Sequence, residues 1–426
     1  MTREQIIFLQ ILSDHLHGRE TAPAEGVDWA AVERIARDHQ VARMVYVQCR
    51  DFLPEGVRTG LAEKNASELY YYGRVKLFDQ VTQGLTEAGV PFFTVKGLNV
   101  AKLYPVPALR TMGDCDIVVH PEDKEKAHGA FEKLGFRVDG KEELEWGYWK
   151  NDLEFELHDH LLYDEVVNER NGLAFSKSAW EMTHRVEGQR YELDQSFHFV
   201  FLLLHLRKHI VGFGVGFRQF MDLAVVMRSC ALDWPWIEAT LDKLELRRFA
   251  ETCFTLLERW FEVPPPFACR DMTDEFYEEA TAKIFGNGVF GFKDHRNKEN
   301  STANAILFKP GPRIWIRIKS LIGSAFPPYR HMRHVPQYAF INGRPWLLPA
   351  AWIYRVYRAV RYGPERPAHD RQGAHLRRKA GRPQERVGKM GAVGVKRQQE
   401  AYCQGGEALP RLFCCCSQSL LNRSRV

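Results

Sequence analysis

The stretch FFTVKGLNVAKLYPVPALRTMGDCDIVVH, Phe92 to His120, decides how the rest of the chain is read. Phe92 to Val95 has the length and flanks of a buried strand. It runs into a Lys96-Gly97 turn and a helix-like segment from Leu98 to Tyr104. After a proline-punctuated loop, a second strand opens with Asp114-Cys115-Asp116 and continues through Ile117-Val118-Val119. Side chains alternate along a strand, so Asp114 and Asp116 project from one face. Two carboxylates on a rigid face, beside a glycine turn and a helix start, suit a divalent cation carrying a triphosphate. Carboxylate oxygens take the hard cation, and the backbone amides of the turn take the phosphates.

Downstream, Trp146 to Lys150 and Leu153 to His158 read as a hairpin around Asn151-Asp152. Leu153, Phe155 and Leu157 alternate with Glu154, Glu156 and His158. One face is apolar and the other acidic with a histidine, which is unusual for a central strand unless that face lines a site. Between the two segments, Pro121-Glu122-Asp123 opens a helix to Leu134, its early acids favoured by the dipole, and Gly135 to Val138 is a return strand.

The Lys96-Gly97 turn and the Asp-x-Asp strand resemble the nucleotidyltransferase superfamily that includes DNA polymerase β and the aminoglycoside nucleotidyltransferases. Closer still is the resemblance to a bacterial family of uncharacterised nucleotidyltransferases marked by a Lys-Gly turn, a tyrosine-proline loop and Arg-x-Met-Gly-Asp-x-Asp. Those elements stand here as Lys96-Gly97, Tyr104-Pro105 and Arg110 to Asp116. The resemblance covers roughly Phe92 to Asp222. It implies an α+β fold: a polymerase β-like core, a small mixed sheet with helices, flanked by N-terminal and C-terminal helical regions. The implied reaction moves a nucleoside monophosphate from an NTP to an acceptor hydroxyl, with pyrophosphate leaving.

The same resemblance assigns roles. Asp114 and Asp116 bind Mg²⁺ or Mn²⁺, two ions in all, which in two-metal sites lie about 3.5–4 Å apart. The superfamily needs a third carboxylate on a neighbouring strand, and the related family has an acid two residues before a histidine there. Glu156-Leu157-His158 matches; Glu154 is the runner-up on the same face, and Asp159 faces the other way. Gly97 lets the backbone approach phosphate closely. Where the wider superfamily has Gly-Ser, this chain has Lys96-Gly97, so Lys96 or Arg110 supplies charge in place of the serine; a salt bridge is the structural alternative for Arg110. The closer family also carries a His-x-x-x-His helix followed by Arg-Gln-x-x-Asp, here His205, His209, Arg218 and Asp222. These four either face the cleft or serve structure: His205 and His209 as buried, hydrogen-bonded histidines, Arg218 and Asp222 as a pair one helical turn apart.

Composition narrows the alternatives. The chain of 426 residues predicts two or three domains. Its formal charge of +5 is misleading, because Pro364 to Val426 carries 13 Lys and Arg against 5 Asp and Glu, leaving the body at −3. The acceptor is therefore read as a small molecule or protein rather than nucleic acid. Nine cysteines without a Cys-x-x-Cys pair argue against structural zinc and a disulfide scaffold, and point to a reducing cytoplasm. No signal peptide or membrane-spanning run is read. The lack of His-Glu-x-x-His excludes a zinc protease, and Gly212 to Gly216 follows a helix, so it is no dinucleotide fingerprint. Two other classes remain. A nucleotide-binding or regulatory module that lost turnover would fit the missing serine and the glutamate third acid. An Asp-x-Asp sugar-nucleotide glycosyltransferase would need βα units where the first 90 residues read as helical.

Four regions are predicted: a helical region over 1–89, the catalytic domain over 90–190, a second helical region over 191–363, and a basic low-complexity tail over 364–426. Asp28 is read as an N-cap, and one long helix is expected from about Val57 to Ala88. Helices follow at Phe197 to Ile210, Phe217 to Arg228, Trp236 to Leu244, Arg247 to Trp260 and Asp271 to Gly286. The arginine-aromatic segment up to Gly363 covers a core with snorkelling stems; peripheral membrane contact is its alternative reading. The tail reads as disordered or as a frameshifted end.

Overall fold

The computed structural model describes residues 1–62, 67–141, 146–151, 153–161, 170–212, 214–288, 326–327, 329–332 and 336–362. The expected tail lies outside the described residues. The chain divides into two compact units, Met1–Phe326 and Pro327–Val426, so the boundaries expected near 89 and 190 both fall inside the first.

The N-terminal helices are α1 (Arg3–His17), α2 (Trp29–Asp38), α3 (Ala42–Cys49), α4 (Glu55–Ala62) and α5 (Ser67–Glu87). Thr2 caps α1 in a reciprocal box with Gln5, and the Asp28 side chain accepts from the Ala31 amide at the start of α2. Helices α4 and α5 occupy the span expected for one long helix, with residues 63–66 outside the described set.

The sheet has seven strands: β1 (Phe92–Val95), β2 (Asp114–Val119), β3 (Arg137–Lys141), β4 (Trp146–Lys150), β5 (Leu153–His158), β6 (Thr183–Glu187) and β7 (Arg190–Leu193). Their order is β3-β4-β5-β2-β1-β7-β6. Strand β2 pairs antiparallel with β1 and parallel with β5; β7 pairs parallel with β1. The short helix α6 (Gly97–Ala101) follows β1, α7 (Lys124–Lys133) follows β2, and α8 (Arg170–Lys177) precedes the β6–β7 hairpin. Then come α9 (Gln195–Gly212), α10 (Phe217–Ser229), α11 (Trp234–Lys243), α12 (Arg247–Phe261) and α13 (Asp274–Asn287).

The two sheet faces bury against different helices. Cys115, Ile117 and Val119 of β2 join Leu153, Phe155 and Leu157 of β5 in a core closed by Leu77, Val81 and Leu85 of α5 and Phe131 of α7. The other face sends Phe93, Val95 and Val118 into a larger core built with α1, α9, α10 and α12. Full burial of such side chains stabilises by about 1.5–3 kcal/mol each, so the register of β2 and β5 is fixed by the apolar face and the acidic face follows from it.

In the second unit, α14 (Tyr329–Met332) and α15 (Leu348–Tyr362) enclose a small core of Met332, Tyr338, Ile341 and Ala351. The stems expected to cover a core do so on one side only. Trp346 and Ile353 stay 70% and 73% exposed, with Val356 and Tyr357 beside them. No helix among the described residues is long and apolar enough to cross a membrane.

Candidate active site

The register of β2 against β5 sets the site. Asp114 lies beside Glu154, Asp116 beside Glu156 and Val118 beside His158. Neighbours in register share a face, so both aspartates, both glutamates and the histidine project together. Ligand atoms of Asp116, Glu156 and His158 lie within 4.8 Å of one another. His158 Nε2 is 3.2 Å from Asp116 Oδ1 and 3.6 Å from Glu156 Oε2. Glu156, matched on spacing, is the acid that meets Asp116; Glu154 is buried one strand repeat back, beside Asp114. Asp114 is half-buried on the same face, and its carboxylate forms no ion pair with a described residue.

The turn after β1 aims a cation at this group. Two successive residues take positive φ, 53° at Lys96 and 28° at Gly97. A non-glycine residue holds such a conformation only where its surroundings impose it. Here the Lys96 amide donates to His198 Nε2 at 3.0 Å, and Asn99 Nδ2 donates to the carbonyl and hydroxyl of Thr94. Lys96 Nζ then lies 2.7 Å from Asp116 Oδ1. Behind the loop, the Arg74 guanidinium of α5 donates to the Gly113 carbonyl, fixing where β2 begins.

Burial would raise the Asp116 carboxyl, but attraction to Lys96 and contact with His158 hold it well below the ordinary carboxylate range. Burial would likewise lower His158, yet its contacts with Asp116 and Glu156 push it up to about 9. In the absence of another cation the cluster therefore holds an ammonium and an imidazolium against buried carboxylates. Asp116 Oδ2 is buried without a hydrogen-bond partner, and His158 Nε2 has only its ion-pair contacts with no aligned hydrogen bond, which is costly unless something else satisfies them. Two carboxylates and an imidazole, with Asp116 Oδ2 unsatisfied, fit a divalent cation. Lys96, Glu156 and His158 keep 18%, 13% and 13% of their side-chain surface open, so the group is reached from solvent.

Arg110, for which the sequence offers phosphate contact or a salt bridge, makes a salt bridge here. Its Nε and terminal nitrogen donate to the two oxygens of Asp222 at 2.7 and 2.8 Å, and Tyr104 donates to Asp222 Oδ1 at 2.7 Å. Both members of the pair are buried. Asp222 thus pairs with Arg110 and not with Arg218, and the Tyr-Pro and Arg-x-Met-Gly segments are tied to α10 as a scaffold. Arg218 donates to the Thr111 carbonyl at 2.6 Å, and its Nε is buried without a partner; burial lowers its affinity for the proton. His205 and His209 meet through their Nε2 atoms at 2.9 Å. Burial holds both neutral, His209 at about 3.

His198 and Arg74 were not singled out from sequence. For His198 a signal existed: His198, His205 and His209 recur seven and four residues apart, which places them on one helix face. Arg74 lies mid-helix between Gly73 and Val75 and carries no such mark.

A family model described as uncharacterised nucleotidyltransferase matches residues 25–262, more than half of the chain. The chain belongs to that family. Its mixed sheet with flanking helices and paired-aspartate strand is the α+β nucleotidyltransferase core. Among solved structures, the antibiotic-resistance factor ANT(2'')-Ia is similar at 13% identity and a TM-score of 0.29, over 44% of this chain and 97% of that one. At that TM-score the likeness adds nothing to the assignment. None of the curated proteins matches. The matched span of this nucleotidyltransferase runs from just before α2 to the end of α12 and holds the whole acidic face.

Proposed function

We propose that this nucleotidyltransferase family member moves a nucleoside monophosphate from an NTP to an acceptor hydroxyl in a divalent-metal-dependent reaction. The observation that carries the reading is the convergence of Asp116, Glu156 and His158 on adjacent parallel strands, with Asp116 Oδ2 buried and unsatisfied. These three residues would hold Mg²⁺ or Mn²⁺, with Asp114 beside them on the same face. The cation, when bound, supplies neutralisation of charge on the transferring phosphoryl group.

The remaining chemistry belongs to the chain. The acceptor oxygen forms a bond to the α-phosphorus as the bond to the β-phosphate bridging oxygen breaks, and pyrophosphate departs with that oxygen. Glu156 orients the acceptor and takes its hydroxyl proton. Lys96, with Gly97 allowing close backbone approach, steadies the triphosphate. Arg110 acts through Asp222 and Tyr104, fixing the loop that leads into β2. Catalysis here is positioning plus fixed charge, as in phosphoryl transfer generally. A small molecule or protein acceptor suits the acidic body better than RNA does, and a reducing cytoplasm suits the buried free thiols of Cys49, Cys115 and Cys253.

The test is incubation with each α-labelled NTP, Mg²⁺ or Mn²⁺, and lysate fractions. Label transferred to one fraction, with pyrophosphate released in equal amount, is the expected result. Metal-dependent NTP binding with no pyrophosphate released would instead make the protein a binding module. The ammonium of Lys96 resting on Asp116 is the feature that would favour that outcome.

A further inference from the structure

The donor set at the acidic face is not all oxygen, and one of its charges is built in. Asp116 divides its carboxylate: Oδ1 meets Lys96 Nζ at 2.7 Å, and Oδ2 is buried with no partner. His158 Nε2 is buried within ion-pair reach of Asp116 Oδ1 at 3.2 Å and Glu156 Oε2 at 3.6 Å, without an aligned hydrogen bond to either. Asp116 is itself 3% exposed. Ligand atoms of different chemistry, carboxylate oxygens of Asp116 and Glu156 and an imidazole nitrogen of His158, lie within 4.8 Å of one another.

Mg²⁺ keeps hard oxygen ligands and several waters, whereas imidazole suits Fe²⁺, Ni²⁺ and Zn²⁺; Mn²⁺, an oxygen-preferring ion that gives up its waters more readily than Mg²⁺, accepts an imidazole beside carboxylates. A second ion beside Asp116 would have to share ground with the Lys96 ammonium. That ammonium is fixed there by a turn whose backbone is held by His198, so it is a permanent positive charge and not a wandering surface lysine.

We propose that the centre takes a single divalent ion of the imidazole-accepting class through Asp116, Glu156 and His158, and that Lys96 stands in for the second cation. The inference rests on the acidic face being the nucleotidyl-transfer centre, but its test needs no turnover. It explains in one stroke why Lys-Gly stands where a serine-bearing turn would be expected: the turn delivers charge to the carboxylate rather than a hydroxyl to phosphate.

The experiment titrates the purified full-length chain with Mn²⁺ alone, reading stoichiometry by calorimetry and ligand type by pulsed electron paramagnetic resonance. One Mn²⁺ per chain is expected, with ¹⁴N coupling from a directly bound imidazole and with Mg²⁺ a poor competitor. His158→Gln should remove the ¹⁴N coupling and weaken Mn²⁺ binding by about 10-fold or more. His158→Asp should lose the coupling but keep binding, and it supplies the answer if the glutamine variant misfolds. Lys96→Met should raise the stoichiometry from one ion to two. Two ions on the unmodified chain, an all-oxygen coordination sphere, or no Mn²⁺ binding would each overturn the proposal. One nitrogen-bound Mn²⁺ on a chain that transfers no nucleotide would leave it standing and remove the catalytic reading instead.

Discussion

The paired strands β2 and β5 carry two faces of opposite chemistry on one backbone. Away from the site, Cys115, Ile117 and Val119 stack beside Phe155 and Leu157 and are closed over by α5 and α7. Toward the site, Asp114, Asp116, Glu154, Glu156 and His158 occupy the alternate positions. The apolar face is satisfied by its own packing. The acidic face is not: it holds carboxylates and an imidazole in a covered place with unsatisfied atoms, an arrangement that costs stability and persists where function requires it. Stability and chemistry are therefore separated by a single residue step.

That separation breaks most visibly at neighbours 155 and 156. Glu156→Gln should lower nucleotidyl transfer by about a thousandfold with the melting temperature almost unchanged, as read by pyrophosphate release and calorimetry. Phe155→Ala should do the reverse, costing about 3–5 kcal/mol in chemical denaturation while folded protein keeps its specific activity. Equal losses of activity in both variants would mean the two faces are not independent.

Asp222→Ala extends the comparison to the scaffold. It leaves the Arg110 guanidinium, 5% exposed, without its bidentate partner. Breaking a buried pair in this way costs about 3–5 kcal/mol, measured by denaturant melts. Its effect on transfer should come through displacement of the β2 approach and exceed the effect of Arg34→Ala, which removes an exposed pair with Asp28.

The pH profile gives opposite slopes for the two kinds of histidine. Burial holds His198 at about 4 and His209 at about 3, whereas an unfolded histidine titrates near about 6.5. The unfolded chain takes up protons the folded chain refuses, so stability is whole above about pH 6.5 and falls as pH drops toward 4. His158 is raised to about 9. Its contribution is complete below about pH 6.5 and is lost as pH rises through 9. His198→Gln should flatten the acid limb of a melting profile, and His158→Gln the alkaline one. The smallest effect is expected from Glu154→Gln, within about tenfold of unmodified transfer, because Glu154 lies beside Asp114 and outside the three-residue group.

Alternation made much of this legible. Six residues from Leu153 to His158 set both faces of β5, and Asn151, with φ of 51°, turns the hairpin where the sequence placed it. The helices from Phe197 onward follow from their apolar period. The β6–β7 hairpin leaves no mark in the sequence, because Thr183–Glu187 is largely exposed and shows no apolar alternation, and β7 joins β1 across about a hundred residues through a single register pair. For Arg110 the sequence offers both phosphate contact and a salt bridge, and it does not name the pair's other member because Asp222 lies 112 residues away on another helix. His158 was placed on the correct face by period two, but its convergence with Asp116 depends on the β2–β5 register, which no local pattern specifies.

The most direct measurement is pyrophosphate release from a mixed NTP pool with Mn²⁺ and the responsive lysate fraction, for the unmodified chain beside Asp116→Asn. Release by the unmodified chain and at least about a thousandfold less by a variant with an unchanged circular dichroism spectrum is the predicted result. Equal release by the two proteins would contradict the assignment of the acidic face as the centre of transfer.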